Sequence, residues 1–209
     1  MIIDPKNHQP DDIYKVMIGS ITPRPIAFVS TISKEGIYNL APYSFFTGIG
    51  ANPPVIGFSP VINREGRSRD SKINAEETGQ FVVNIVSEKI VHEMNQTAVD
   101  VPSDVDEFRL SGLTPTASKS VTPPRVKEAQ VSMECKVLEV IEVSKKTLGG
   151  TLVLGEVLLF HVADKIIDDF KIDPEQLRTV GRMGGNSYTR TSERFDIERP
   201  SLEETLKKI

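Results

Sequence analysis

Apolar and polar positions fall into short runs broken by turn residues along most of this chain, which predicts a mainly β protein. Ile26 to Ile32 is rich in β-branched and aromatic residues and reads as a strand. Ser33-Lys-Glu-Gly36 follows as a turn, with Gly36 where a positive φ is needed. Strands are expected at roughly 26–32, 37–41, 44–49 and 54–59, the first two paired as a hairpin. Asn39-Leu-Ala-Pro42 interrupts the pattern. Proline brings no ladder donor, so neighbouring main-chain groups are left free to bind something else. Gly48-Ile-Gly50 reads as a bend. Asp70 is placed as the cap of a short helix over 71–77, which Gly79 ends. Phe81 to Val86 reads as a buried strand. Residues 87–98 read as an amphipathic helix with Ile90, Val91 and Met94 on one face.

The flanking regions are less regular. Residues 1–20 are a polar lead-in that turns weakly helical near Ile13. Residues 99–127 are rich in Pro, Ser, Asp and Thr, and long for a loop without structure of its own. They are expected to hold short helical turns, form a lid or wrap a partner subunit. Two long strands, 131–143 and 152–162, flank a Lys145-Lys-Thr-Leu-Gly-Gly turn, and Asp173-Pro174 opens a helical turn. Many short strands and few helices predict a β-barrel or sandwich with peripheral helices, as one domain over 1–209.

Composition narrows the function classes. The chain has 209 residues and a formal net charge of −4, which gives no broad drive toward nucleic acid. Its apolar runs fall far short of the ~20 residues of a membrane helix. Met1-Ile-Ile-Asp-Pro lacks the pattern of a signal peptide. One cysteine, Cys135, makes no intrachain disulfide. It is expected to be a packed, reduced thiol in a cytoplasmic protein.

Several chemistries lack their motifs. There is no Gly-x-Gly-x-x-Gly after a strand and no phosphate loop. His8, His92 and His161 show no metal-ligand spacing, and His161 reads as a sheet histidine. No Ser or Cys sits in a nucleophile elbow. A binding pattern without side-chain chemistry fits a cofactor that carries the reaction, so no catalytic residue is assigned.

Two stretches are candidates for such binding. Arg67-Ser-Arg-Asp-Ser71 offers cationic forks and hydroxyls from Arg67, Ser68, Arg69 and Ser71 beside a helix N-terminus, which suits a phosphate. The same residues also read as an exposed basic loop with a helix cap. Asn39 to Phe46 offers irregular main chain at Ala41, Pro42, Tyr43 and Ser44 beside the flat surface of Phe45. That suits a planar ring, or else a bulge with core phenylalanines. Arg24, between two prolines, is stiffly held and reads either as a reach toward an anionic edge or as an exposed turn residue.

The order of these fragments resembles the flavin reductase-like, FMN-binding split-barrel family. That family includes flavoredoxins and the reductase components of two-component monooxygenases such as nitrilotriacetate monooxygenase component B. The residues that carry the resemblance are Arg24-Pro25, Ser30-Thr31, Gly36, Asn39-x-Ala-Pro-Tyr-Ser-Phe-Phe46, Pro53-Pro54, Arg69-Asp-Ser71, Asn74 and Glu77-Thr-Gly-x-Phe-Val-Val-Asn84. The likeness runs on through Asp106-Glu-Phe108, Ser111-Gly-Leu-Thr114 and Leu154-Gly-Glu-Val157 to Gly181-Arg182. It implies an FMN-binding split β-barrel with peripheral helices, paired as a homodimer. It implies NAD(P)H as a co-substrate and a monooxygenase or electron-transfer protein as partner. FMN is expected rather than FAD because Arg67 to Ser71 is one cluster for one phosphate and no second glycine-rich loop is present. A flavoredoxin-like carrier without direct nicotinamide use is the alternative. Arg69-Asp70-Ser71 stands where the family more often has Lys-Asp-Thr, which keeps the charge and the hydroxyl. The resemblance extends the candidate site to Arg24, Ser30, Thr31, Asn39, Ser59, Arg182 and Tyr188, the last two approaching from the C-terminal segment.

Overall fold

The computed structural model describes residues 1–206. After helix α1 (Pro10–Ser20), strands β1 (Ala27–Ile32), β2 (Tyr38–Tyr43), β3 (Phe46–Ala51) and β4 (Pro54–Phe58) lead to helix α2 (Asp70–Thr78) and strand β5 (Gln80–Ile85). Helices α3 (Val91–Gln96) and α4 (Glu107–Ser111) precede a small ribbon of β6 (Pro115–Thr116) and β7 (Arg125–Val126). The long strands β8 (Val131–Glu142) and β9 (Thr151–Val162) follow. A hairpin of β10 (Ile167–Asp168) and β11 (Lys171–Ile172), helix α5 (Pro174–Leu177) and the pair β12 (Val180–Arg182) and β13 (Tyr188–Arg190) come next.

One antiparallel sheet of seven strands runs in the order β2-β1-β5-β8-β9-β4-β3. Its two outermost strands, β2 and β3, are consecutive in sequence and joined by Ser44 and Phe45 alone. So short a link brings one end of each edge strand together while the strands themselves stay unpaired, so the sheet curls into a barrel split along a seam that opens at Ser44–Phe45. The barrel is mainly β with peripheral helices.

Alternation along β1 fills two cores. Ala27 and Val29 join Phe58, Phe81, Val83, Cys135 and Val153 in one apolar cluster. Phe28 joins Leu40, Val86, Ile90, Met94 and Phe108 in the other, beneath the helices. Burial on both faces explains why the β1 run reads as nearly continuous apolar sequence.

The expected elements form, with informative differences. Gly36 (φ 86°) and Gly79 (φ 69°) take the left-handed conformations their turn and helix end require. The strand does not stop at Pro42: β2 runs through it, with Pro42 opposite Phe28. An edge strand tolerates proline because its outward amide has no ladder partner to lose. Gly48 and Gly50 flank a register shift within β3, a bulge rather than a plain bend. The N-cap of α2 is Arg69, and Asp70 is its first helical residue.

The helix expected over 87–98 is confined to Val91–Gln96. The Glu88 amide donates to the Arg178 carbonyl at 2.9 Å, so the main chain there pairs with the C-terminal segment instead. The 99–127 stretch is ordered by α4, the β6–β7 ribbon and the burial of Phe108, Leu113 and Val126. Cys135 is buried in β8, and burial pushes its thiol pKa well up, which keeps it protonated. No helix of the described residues is long and apolar enough to cross a membrane.

Candidate functional site

A cleft of about 500 Å³ lies along the barrel seam. Its floor comes from edge strand β2 and the seam itself: Asn39, Ala41, Pro42, Tyr43, Ser44 and Phe45. Ser59 and Val61, after β4, continue it, and the Ser59 amide donates to the Phe45 carbonyl at 2.8 Å, extending the β3–β4 ladder. Arg67, Ser68 and Arg69 close one end, where α2 begins. Tyr14 of α1 stands edge-on to Phe45, ring centroids 6.5 Å apart, and completes an aromatic wall. Residues 97–101, with Ser103 and Glu107, form the far side.

Ten of the sequence-predicted residues therefore share one cleft: Asn39, Ala41, Pro42, Tyr43, Ser44, Phe45, Ser59, Arg67, Ser68 and Arg69. The others lie elsewhere. Ser71 is buried and accepts from Asn39 Nδ2 at 2.7 Å, while Thr31 accepts from Asn39 Nδ2 at 3.0 Å and from Asn74 Nδ2 at 3.1 Å. These bonds dock α2 on the barrel, so both hydroxyls point into protein. Ser30 is buried and donates to the Pro124 carbonyl, which ties down the 115–127 segment. Arg182 stacks its guanidinium on the Tyr188 ring at 4.5 Å, and the Tyr188 hydroxyl donates to Asn95 Oδ1 at 3.0 Å. Neither residue lines the cleft.

Arg24 is buried rather than exposed. It donates to Ser44 Oγ at 3.1 Å and to the carbonyls of Ile18 (2.6 Å), Ile21 (2.8 Å) and Met183 (3.0 Å). Burial lowers its pKa somewhat, yet arginine keeps its charge in proteins.

The cationic end already has internal partners. Arg67 reaches Glu65 at 3.1 Å, and Arg69 pairs with Asp100 while its Nε donates to the Val61 carbonyl at 3.1 Å. Asn63 Nδ2 also donates to Asp100, at 3.2 Å. Burial raises the Asp70 pKa, and Arg67 and Arg69 oppose that rise. Burial raises Glu107 further, to about 7, with Asp70 and Asp106 adding to it and the Leu40 amide opposing it. The Tyr43 phenol is pushed up to about 12 by burial, against a hydrogen bond with Ser71, and stays neutral.

Sequence reading missed Tyr14, Asp100 and Glu107. They come from α1, the 97–106 segment and α4, and only the fold brings them to the seam. No group of three or more potential metal ligands occurs among the described residues.

An aromatic corner, a polar seam and a cationic end define a split β-barrel built around one elongated cleft. Residues 18–171 match the family model described as the flavin reductase-like domain, and the chain belongs to that family. Its fold is similar to nitrilotriacetate monooxygenase component B from Bacillus cereus, with TM-score 0.89 and 38% identity over 94% of this chain and 98% of that one. It is also similar to 2-nitrobenzoate 2-nitroreductase from Pseudomonas fluorescens, with TM-score 0.86 and 30% identity over 97% and 98%. A split-barrel-domain structure from Shewanella frigidimarina matches with TM-score 0.81 at 24% identity, covering 96% and 100%, and supports the fold.

Proposed function

We propose that this protein is an FMN-binding flavin reductase. It takes electrons from NAD(P)H and hands reduced flavin, or electrons, to a partner protein such as a monooxygenase. The observation that carries this reading is the seam cleft, which joins an aromatic wall to a cluster of arginine and hydroxyl donors. Its volume is in the range of small-ligand sites, about 300–1,000 Å³. The residues fit the cofactor. Arg67, Ser68 and Arg69 suit a single phosphate, and the first-turn amides of α2 add donors. Phe45 and Tyr14, set edge to face, give the ring an aromatic corner to pack in, and the seam gives its polar edge a hydroxyl and main-chain groups. The described residues offer one such cationic cluster in the cleft, which favours FMN over the longer, pyrophosphate-bearing FAD. A bound flavin supplies the two-electron chemistry, and the protein supplies orientation and a sheltered face.

The assembly we favour is a homodimer in the cytoplasm. Leu138, Leu158 and Phe160 are exposed on the long β8–β9 pair and would be covered by a second copy. The similarity to a monooxygenase component B supports a monooxygenase partner. The second reading is a flavoredoxin-like carrier that does not use nicotinamide directly. It is favoured because the described residues line the cleft with one cationic cluster, which the flavin phosphate would occupy, leaving no second one for the phosphates of a nicotinamide nucleotide.

An anaerobic titration of the flavin-loaded protein separates these. Bleaching of the flavin colour by NADH or NADPH at a catalytic rate is expected of the reductase. Bleaching only by a reduced ferredoxin-like donor would establish the carrier. A protein that takes up no flavin would overturn both.

A further inference from the structure

Arg24 and Ser44 form an unusual pair at the seam. The Arg24 guanidinium is buried, and its partners are one hydroxyl and three main-chain carbonyls, none of them charged. A buried charge is normally matched by an opposite one, yet no carboxylate pairs with Arg24 among the described residues. Its field is therefore not cancelled locally. Ser44 lines the cleft and accepts from Arg24 Nε at 3.1 Å. That bond occupies a lone pair, so the hydroxyl hydrogen is left to be given away. No acceptor for it is found among the described residues, and the open side of Ser44 is the cleft. Hydrogen bonds in series polarise one another, so a hydroxyl backed by a guanidinium is a stronger donor than one in water.

We infer that Arg24 acts through Ser44 as a positioning residue that raises the reduction potential of a flavin bound in the cleft. The inference rests on the flavin reading above. Reduction by hydride brings two electrons and one proton to the ring; the nicotinamide donor leaves as its oxidised cation, and the ring gains one negative charge until a solvent proton arrives. With dithionite as reductant the electrons come from dithionite and the protons from solvent. In either case the polar edge of the ring becomes more negative, and a polarised donor with uncompensated positive charge behind it favours that state. Ser44 would make the direct contact to a bound ring, with Arg24 one hydrogen bond behind it.

The test compares native protein with Ser44→Ala, each loaded with FMN, by anaerobic spectroelectrochemistry and by affinity for oxidised and dithionite-reduced FMN. Ser44→Ala is expected to weaken reduced FMN about tenfold more than oxidised FMN. For a two-electron couple that is a fall of about 30 mV in midpoint potential. Arg24→Lys, which keeps the charge but not the planar fork, is expected to move the potential the same way by less than Ser44→Ala does. Ser44→Ala leaves Arg24 Nε without its acceptor and is expected to lower the melting temperature, so both redox states are measured below it, where a general loss of structure would weaken oxidised and reduced FMN alike. Equal weakening of both redox states, with the potential unmoved, would overturn the inference while leaving the flavin reading intact. Absence of FMN binding by the native protein would overturn both.

Discussion

The Leu40 amide, on the open edge of β2, donates to Glu107 Oε2 of α4 at 3.1 Å. An edge amide buried without a partner would be costly, and Glu107 supplies one from the next layer. Pro42, two residues on and facing the same way, has no amide to satisfy. One carboxylate and one proline thus finish the barrel edge that floors the cleft.

Glu107 is held well above its ordinary range, at about 7, chiefly by burial. A raised folded-state pKa means that the folded protein binds this proton more tightly than the unfolded chain does. Its contribution to stability is fully present below the unfolded pKa of about 4.5 and is lost as pH rises through about 7. Glu107→Gln mimics the protonated form, so it should gain on the native protein between pH 5 and pH 8, by on the order of 1–3 kcal/mol. Melting curves of the two proteins across that window check it. Parallel pH profiles would show that Glu107 titrates normally.

Glu134, fully buried in β8, accepts from the amides of Lys119 (2.8 Å) and Ser120 (2.6 Å), with His161 Nε2 also at 2.6 Å. It anchors the 115–127 segment to the sheet. Glu134→Ala removes the acceptor from all three and should cost on the order of 3 kcal/mol. Urea unfolding gives the size. Hydrogen exchange should quicken at residues 119 and 120, and unchanged protection there would contradict the anchor.

Gly155 sits in β9 where a Cβ would run into the ring of Phe81. Phe81 is fully buried and packs on Phe58 with ring centroids 5.1 Å apart, so it has little room to retreat. Gly155→Ala should destabilise by about 1–3 kcal/mol. A melting temperature equal to that of the native protein would mean that the barrel interior is looser than this packing implies.

Much of this architecture was legible in the sequence because local rules agreed with the fold. The Ser33–Gly36 turn, the Gly79 helix end and the Asp173 cap, which accepts from the Glu175 amide at 2.8 Å, are local chemistry. The long β8–β9 pair announced itself by length and by the turn between the strands. The seam cleft was half legible: Asn39–Phe45 and Arg67–Arg69 are compact in sequence. What local pattern does not carry is which way a side chain turns. Ser71 and Thr31 face inward because Asn39 and Asn74 bond them between helix and sheet, and Arg24 faces inward because three carbonyls surround it. Tyr14, Asp100 and Glu107 reach the seam only through tertiary packing.

The most direct test of the cleft is the affinity of Arg69→Ala for FMN against riboflavin, which lacks the phosphate. Arg69 already pairs with Asp100 and is partly open to solvent, so the low end of a charged hydrogen bond applies. We expect FMN to weaken about tenfold, riboflavin to change little, and the FMN preference of the native protein to shrink as salt rises. Equal losses of FMN and riboflavin would contradict the phosphate site at Arg67–Arg69.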